Sequence, residues 1–168
     1  ACMIRWDLSK SAIWLRFARQ CRSNMATMSP ISIHVLDKAD VADIDFIRNG
    51  LREYNARFTE EGFAPLYVFL RDGDGSLVGG LLADTYWGWL SIHIVWIDER
   101  YRGQNYGERL IAVAEGEARQ RGCAHVQLDT LSFQARPFYE KQGYRVYGSL
   151  ADFPAGSGHV RYYMTKDL

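Results

Sequence analysis

Between Ile97 and Leu110 an apolar strand pattern ends, a short turn of small and polar residues follows, and a long helical pattern begins. A strand-to-helix turn of this kind presents the unpaired backbone N–H groups of the first helical turn together with the positive end of the helix dipole. Such a junction can bind an anion, and a phosphate or pyrophosphate fits it best. Neither the GK[ST] of a P-loop nor the GxGxxG spacing is present. The alternative is an ordinary connection whose small residues serve packing alone.

The rest of the chain alternates between strand-like and helix-like periodicity. The pattern predicts strands over residues 31–35, 66–71, 76–86, 87–97, 124–130, 144–150 and 160–165. It predicts helices over residues 37–58, where Gly50 is expected to divide the helix, 104–121 and 134–142. The strand–helix–strand order from residue 87 to residue 130 implies a parallel pair. The predicted fold class is α/β (α+β), a single domain with a mixed sheet of about six to seven strands flanked by about four helices.

Composition excludes several classes of protein. The 168-residue chain has the size of one domain, and 48% apolar residues are enough for a hydrophobic core. Lysine plus arginine and aspartate plus glutamate both number 20, and this zero net charge disfavours a nucleic-acid binder. No apolar run approaches the roughly 18 residues of a membrane span. The cysteines and histidines are scattered, so we expect no disulfide, no metal site and a cytoplasmic location.

Residues 1–29 differ from the rest because they are basic. Their charged residues are Arg5, Lys10, Arg16, Arg19 and Arg22 against Asp7. Three interpretations are open: an amphipathic helix that docks on the body or on a partner subunit, an extension upstream of a start at Met25 or Met28, and a targeting peptide, which the lack of a continuous apolar segment disfavours. We expect a helical extension over residues 1–29 and one domain over residues 30–168.

Two short segments resemble the signatures of a known family. The turn Arg102-Gly103-Gln104-Asn105-Tyr106-Gly107 resembles the [Q/R]-x-x-G-x-[G/A] motif of the GNAT superfamily of N-acetyltransferases. Residues 138–144, Phe-Tyr-Glu-Lys-Gln-Gly-Tyr, resemble its second signature. The resemblance extends over residues 31–168. It implies that the domain over residues 30–168 transfers an acetyl group from acetyl-CoA to a primary amine of a small molecule or peptide, without a metal.

The same resemblance implies how CoA is held. The turn would hold the pyrophosphate through backbone amides, the pantetheine arm would pair with the splayed edge of strand 87–97, and an amide near residues 95–97 would polarise the thioester carbonyl. Asn105 stands where glycine is usual, and Asn is the next most tolerant residue for left-handed backbone, so we expect a preserved turn with weaker CoA affinity. Ser132 stands where asparagine is usual, and Gln134 could supply a comparable bond. The implied CoA-binding residues are Val95, Trp96, Ile97, Arg102, Gly103, Gln104, Asn105, Tyr106, Gly107 and Ser132.

Tyr139 matches the family tyrosine that lies beside the sulfur, which implies that it protonates the departing thiolate. The alternative is a core tyrosine whose hydroxyl is satisfied. An alkylammonium acceptor must also lose a proton before attack, to a side chain or to an ordered water. His93 is the preferred base, and alternation on the central strand places it on one face with Ser91 and Val95. The other candidates for this base are Asp84, Glu99 and Asp129.

The acceptor site is expected to be aromatic. Tyr86, Trp87, Trp89 and Trp96 lie on one predicted hairpin, and the loop over residues 152–159 is expected to fold over the same end. Aromatic faces near carboxylates suit a small cationic amine, although tryptophans on strands also serve core packing. Cys123 is expected to pack between small residues, so acetyl transfer is direct.

Two other functions compete with the transferase. One is an acyl-CoA sensor that has the same fold but no catalytic activity. The other is an interaction domain whose basic residues 1–29 mediate its assembly with other chains. The family resemblance is also compatible with a homodimer.

Overall fold

The computed structural model describes residues 31–59 and 62–168. The helix expected over residues 1–29 lies outside the described residues. The chain divides into two units, Ala1–Ile44 and Asp45–Leu168. In the first unit, residues 31–36 have no regular secondary structure, so the strand predicted over residues 31–35 is wrong. A strand needs a neighbour for its N–H and C=O groups, and no described strand pairs with this segment.

Among the described residues, six strands form one mixed sheet, within the six to seven strands predicted. The strands are β1 (Ala64–Arg71), β2 (Leu77–Tyr86), β3 (Trp89–Ile97), β4 (His125–Leu131), β5 (Arg145–Ala151) and β6 (Val160–Asp167). Their order across the sheet is β1-β2-β3-β4-β6-β5. The β3–β4 pair is parallel and the other neighbours are antiparallel. The predicted parallel pair on either side of a crossover helix is therefore confirmed.

The described residues contain three α-helices and one short 3-10 helix, against about four helices predicted. These are α1 (Val41–Asn55), the 3-10 helix Glu99–Tyr101, α2 (Tyr106–Gln120) and α3 (Arg136–Lys141). Helix α1 continues through Gly50, so the expected division at this residue is wrong. None of the residues of α1 is buried against the described part of the chain. No helix in the ranges 31–59 and 62–168 is both long and apolar enough to cross a membrane.

The hydrophobic core lies between the sheet and α2. Helix α2 turns an apolar stripe inward, at the spacing that places residues three and four apart on one face. Its buried apolar residues are Leu110, Ile111, Ala114 and Ala118. They meet the buried side chains of β2, β3 and β4, among them Leu81, Leu90 and Val126. Since side chains alternate along a strand, the opposite face of these strands carries polar and aromatic residues, and two of the cavities described below lie there, beside Ser91 and Gln127.

Candidate active site

A β-bulge at His93 separates the two central strands. β3 and β4 pair in parallel only from Trp89 to Ile92 of β3. On the other side of β3, consecutive residues of β2 face Ile92 and Ile94, so His93 is the extra residue of the bulge. A bulge bends its strand and interrupts pairing. The last residues of β3 therefore have no ladder partner on β4, and the parallel pair splays apart as the family resemblance implies.

The bulge also changes which side chains share a face. Ile92 before the bulge and both Val95 and Ile97 after it pack against the hydrophobic core. Ser91 lies on the opposite face, where its Oγ accepts a hydrogen bond from a glutamine of β4. The expectation that Ser91, His93 and Val95 share one face is therefore wrong, because strict alternation holds only in a strand without a bulge.

The splay opens into a cleft of about 660 Å³, which we call the main cleft. It is bounded by the end of β3, by the turn before α2 and by α3, and its volume is typical of small-molecule sites. Gln134 also lines it. Nine of the residues singled out in the sequence line it: Val95, Trp96, Ile97, Arg102, Gly103, Asn105, Tyr106, Gly107 and Tyr139.

The turn before α2 has the geometry of an anion site. Gly103 and Asn105 both have positive φ, at 72° and 61°. Asn105 is the N-cap residue of α2 in left-handed conformation, with no side-chain cap bond. Among the described residues, none accepts a hydrogen bond from the backbone N–H groups of residues 103–108. These groups, together with the helix dipole, favour a negative charge at this end of the main cleft.

Gly107 shows that the turn is also tightly packed. A Cβ added at Gly107 would lie 3.3 Å from the ring of Phe138. Both explanations of the small residues in this turn therefore hold. The close approach of the backbone to α3 requires them for packing, and the free N–H groups allow the turn to bind an anion.

Three residues expected at the CoA site make other contacts. Arg102 lines the main cleft, but its Nε donates to the carbonyl of Ile97 at 2.9 Å. Gln104 does not line the cleft, and its amide donates to a carbonyl of the preceding 3-10 helix. Ser132 lies outside the cleft, where its Oγ is 3.1 Å from His159 Nδ1.

Gln134 binds the end of β4. Its Oε1 accepts a hydrogen bond from the N–H of Leu131 at 2.8 Å. Its side chain therefore satisfies a main-chain N–H at the end of β4 and also lines the main cleft.

Tyr139 stands between the main cleft and a second cavity. This cavity, the inner pocket, has a volume of about 290 Å³ and lies in the splay between His93 and Asp129. The ring of Tyr139 is 8% exposed and packs edge-on against Tyr144 at 5.7 Å. None of the described residues forms a hydrogen bond with its hydroxyl. Every fully buried polar side-chain atom of the described residues does have a hydrogen-bond partner, so this hydroxyl is not fully buried. The hydroxyl therefore reaches the surface of these cavities, and burial raises the pKa of Tyr139, with the nearby charge of Asp129 adding to the effect.

His93 forms a dyad with Asp84 on the neighbouring strand. The Nε2 of His93 lies 2.5 Å from Oδ2 of Asp84. The imidazole is 55% exposed and Asp84 is 20% exposed. Because a carboxylate only accepts hydrogen bonds, Nε2 carries a proton, and in the neutral imidazole the lone pair is then on Nδ1. His93 lines the inner pocket and also a polar pocket of about 240 Å³ beside Tyr147 and Tyr163.

Asp129 and Glu99, the other carboxylates considered as the general base, are less suited to accept a proton from the substrate. Both oxygens of Asp129 accept from Arg161 at 2.7 Å, so this residue lines the inner pocket as an ion pair. Glu99 is 85% exposed and faces Arg102 at the outer rim of the turn. His93 is thus the candidate base that combines an available lone pair with a position in the inner pocket.

The aromatic residues do not gather at one end of the hairpin. Tyr86 stacks on Trp87 at 4.1 Å at its tip, whereas Trp96 lies at the other end of β3, in the main cleft. The loop Asp152–Gly158 connects β5 and β6 beside the splay. All four aromatic residues lie on the β2–β3 hairpin as predicted, but the expectation that they and the loop share one end is wrong, because β3 is long enough to separate its two ends.

A buried polar cluster was missed from the sequence. Glu115 of α2 is 4% exposed, and it accepts bonds from Lys166 Nζ at 2.8 and 2.9 Å and from the hydroxyl of Tyr144 at 2.9 Å. Burial raises the pKa of Tyr144, and the carboxylate of Glu115 adds to this effect. The available signal was a glutamate one turn after Ile111 on the apolar stripe of α2.

Among the described residues, neither Cys123 nor a metal site adds a reactive centre. Cys123 is buried, and burial raises the pKa of its thiol, which disfavours the nucleophilic thiolate. Within residues 31–59 and 62–168, no group of three or more His, Cys, Asp or Glu is placed to hold a metal ion.

Comparisons with known proteins identify the family. Residues 37–144 match the acetyltransferase (GNAT) family. The chain is 39% identical to an acetyltransferase of Agrobacterium fabrum over 122 residues, which span 70% of this chain and 89% of that protein. It is 45% identical to the blasticidin-S acetyltransferase of Streptomyces morookaense over 83 residues, 49% of this chain and 61% of that protein.

A solved structure supports the same assignment. An acetyltransferase from Bacillus cereus is similar with a TM-score of 0.71 at 30% identity, and the match covers 80% of this chain and 98% of that one. The chain therefore belongs to the acetyltransferase (GNAT) family and is an N-acetyltransferase.

Proposed function

We propose that the enzyme transfers an acetyl group from acetyl-CoA directly to a primary amine of a small molecule. The observation that carries this proposal is that the free N–H groups of Gly103 and of residues 105–108 lie in the same cleft as the side chain of Tyr139. The first can bind a diphosphate, and the second can protonate a leaving group. An acyl enzyme on Cys123 is disfavoured because this cysteine is buried.

The chain's own residues fit acetyl-CoA. The turn over residues 102–107 offers backbone donors for a pyrophosphate, and positive φ at Gly103 and Asn105 keeps these donors open. The unpaired edge of β3 offers main-chain groups to an amide-bearing arm such as pantetheine. Acetyl-CoA supplies the activated acetyl group as a thioester.

His93 is proposed as the base. Asp84 binds the protonated Nε2, so Nδ1 can accept a proton from an ammonium that enters the inner pocket. Deprotonation frees the nitrogen lone pair, which is required for attack on a carbonyl carbon.

Tyr139 is proposed as the acid. As the new C–N bond forms, the C–S bond breaks with its electron pair on sulfur, and the phenol of Tyr139 gives its proton to that sulfur. The nitrogen then loses its second proton, which restores the phenol, so that one ammonium yields one amide, one thiol and one proton to solvent. Because burial raises the pKa of Tyr139, the donor form persists throughout the neutral range.

Two observations support a small-molecule acceptor. The inner pocket and the polar pocket are small, at about 290 and 240 Å³, and carry carboxylate and phenol groups. One relative is named for its action on blasticidin S. We therefore propose a polar, cationic amine as the substrate.

A thiol-release assay with a panel of amines tests this function. Purified enzyme is supplied with acetyl-CoA and, in separate reactions, blasticidin S, an aminoglycoside, a polyamine and a lysine peptide, and products are identified by mass spectrometry. We expect amine-dependent thiol release with at least one small amine, and a product heavier by one acetyl group. Binding of CoA without amine-dependent release for any amine would favour a sensor, and no binding of CoA would reject the proposed use of the main cleft.

A further inference from the structure

We infer that the tip of the β2–β3 hairpin is a recognition site for the far end of the acceptor, a flat and positively charged group. This inference rests on the proposed function, because it extends the same substrate trough. The site, which we call the aromatic corner, is a cavity of about 410 Å³. It is lined by the rings of Phe63, Tyr86, Trp87 and Trp89 and by the carboxylate of Asp84.

The polar pocket lies between the aromatic corner and the inner pocket and has lining residues in common with each. The aromatic corner shares Ser91 and Gln127 with the polar pocket, and the polar pocket shares His93 and Asp129 with the inner pocket. We take these neighbouring cavities together as one substrate trough, which runs from the aromatic corner through the splay to Tyr139. From Trp89 to His93 the strand advances about 13 Å. An elongated acceptor can thus place its amine at His93 while its far end lies in the corner.

The rings of the corner are fixed before any ligand binds. Tyr86 stacks on Trp87 at 4.1 Å and meets Phe63 edge-on at 6.3 Å. Trp89 packs on the ring of His125 at 4.6 Å, and the Nδ1 of His125 is 2.9 Å from a carboxylate oxygen of Asp167. Preorganised aromatic faces bind flat or cationic groups without a further loss of side-chain conformational entropy.

Backbone conformation gives a second, independent observation. Tyr86 and Trp89 are paired, so the hairpin turns through the two residues Trp87 and Gly88. Both have positive φ, 50° and 77°, which is the pattern of a type I′ turn. Asn, Asp or Gly is favoured at the first position, and a bulky residue in left-handed conformation is rare. A strained residue of this kind points to a function, and here the strain presents the Trp87 ring to the cavity.

Charge defines the ligand class. Among the described residues that line the aromatic corner, Asp84 is the charged one. A carboxylate beside several aromatic faces favours a cation such as a guanidinium, which can stack on a ring and pair with the carboxylate. The acceptor class is therefore an elongated amine that carries a planar cation at its other end.

The test compares a charged tail with a neutral one. The acceptors are ω-amino-alkylguanidines of increasing chain length and the matching ω-amino-alkylamides. Binding is measured by calorimetry with an alkylguanidinium that lacks the amine, so this readout does not depend on acetyl transfer. Trp87→Gly suits the turn and removes the ring, and the matched control is Phe69→Ala. Phe69 is also an exposed aromatic residue, and it does not line the aromatic corner.

We expect the wild type to favour the charged tail about tenfold in kcat/KM at the longer chain lengths, mainly through KM. Trp87→Gly should lose this preference and bind the alkylguanidinium about tenfold more weakly, while Phe69→Ala should keep both. Equal effects of the two variants on binding, or equal binding of charged and neutral tails, would overturn the inference. If no amine is acetylated but Trp87→Gly alone loses alkylguanidinium binding, the proposed function fails and the aromatic corner stands.

Discussion

The Nε2 atom of His93 lies 2.5 Å from Oδ2 of Asp84, across the bulge that divides the two central strands. One extra residue in β3 therefore does two things: it opens the splay, and it carries the imidazole whose free nitrogen can serve the inner pocket. Asp84 is also a wall of the aromatic corner. The dyad thus lies between the part of the trough where we place the reaction and the part where we place substrate recognition.

Replacing Asp84 by asparagine should lower kcat about 10- to 100-fold. The amide of Asn can donate to Nε2, which favours the tautomer whose proton sits on Nδ1 and removes the lone pair that faces the acceptor. Steady-state kinetics with a good amine measures the effect. The matched control is Asp74→Asn, an exposed carboxylate in the β1–β2 turn, which should stay within about twofold of the wild type. An Asp84→Asn enzyme with wild-type kcat would remove the positioning role of Asp84.

Asn105→Ala should weaken CoA binding about fivefold, whereas Asn105→Gly should preserve or strengthen it. Position 105 has φ 61°, and alanine tolerates left-handed backbone less well than asparagine or glycine, by about 1 kcal/mol. The strain would distort the N–H groups that we propose for the pyrophosphate. Calorimetric titration with CoA provides the dissociation constants. Identical constants for the alanine and glycine variants would show that the turn does not hold CoA.

Glu115→Gln should destabilise the fold by about 3 kcal/mol, because it leaves the partly buried ammonium of Lys166 without its charged partner. Glu117→Gln is the matched control on the same helix. Glu117 pairs with Arg121 at 2.8 Å near the surface, so its loss should cost less than about 1 kcal/mol. Urea unfolding curves give both free energies. Equal costs for the two substitutions would contradict the role assigned to the buried cluster.

Alkaline stability should depend on the buried phenols. Burial raises the pKa of both Tyr139 and Tyr144 in the folded state, while in the unfolded chain these phenols ionise near pH 10. Above about pH 10 the unfolded state binds fewer protons than the folded state, so the free energy of unfolding falls as pH rises. Below that pH the two phenols are protonated in both states, and they cause no change in the free energy of unfolding with pH.

A single substitution isolates this effect. Tyr144→Phe should reduce the loss of unfolding free energy between about pH 9 and pH 11, and the exposed Tyr67→Phe should leave it as in the wild type. The comparison uses the change with pH in each variant, since Tyr144→Phe also removes a hydrogen bond to Glu115 at every pH. A Tyr144→Phe protein with the wild-type pH dependence would contradict the prediction.

Much of the fold was predictable because it depends on local pattern. Alternating residues and turn signals located all six described strands that follow residue 60 to within two residues at each end, and periodicity found α2. The strand over residues 31–35 was mispredicted because alternation alone does not supply a pairing partner. The parallel β3–β4 pair followed from the strand–helix–strand order of this part of the chain.

The site was less predictable because it depends on register and on contacts distant in the chain. The bulge at His93 leaves no signal in the alternation of apolar residues, yet it decides which side chains face the inner pocket. The pair between Glu115 and Lys166 joins residues 51 positions apart. By contrast, the turn at Asn105 could be anticipated, because few residue types accept its backbone conformation.

The most direct test of the account is kcat for Tyr139→Phe at saturating acetyl-CoA, measured from roughly pH 6 to pH 9. The substitution keeps the ring that packs on Tyr144 and removes only the hydroxyl that reaches the cavities. If this phenol protonates the departing sulfur, kcat should fall about 100-fold while the dissociation constant of CoA stays unchanged. Wild-type turnover across that pH range would contradict the mechanism.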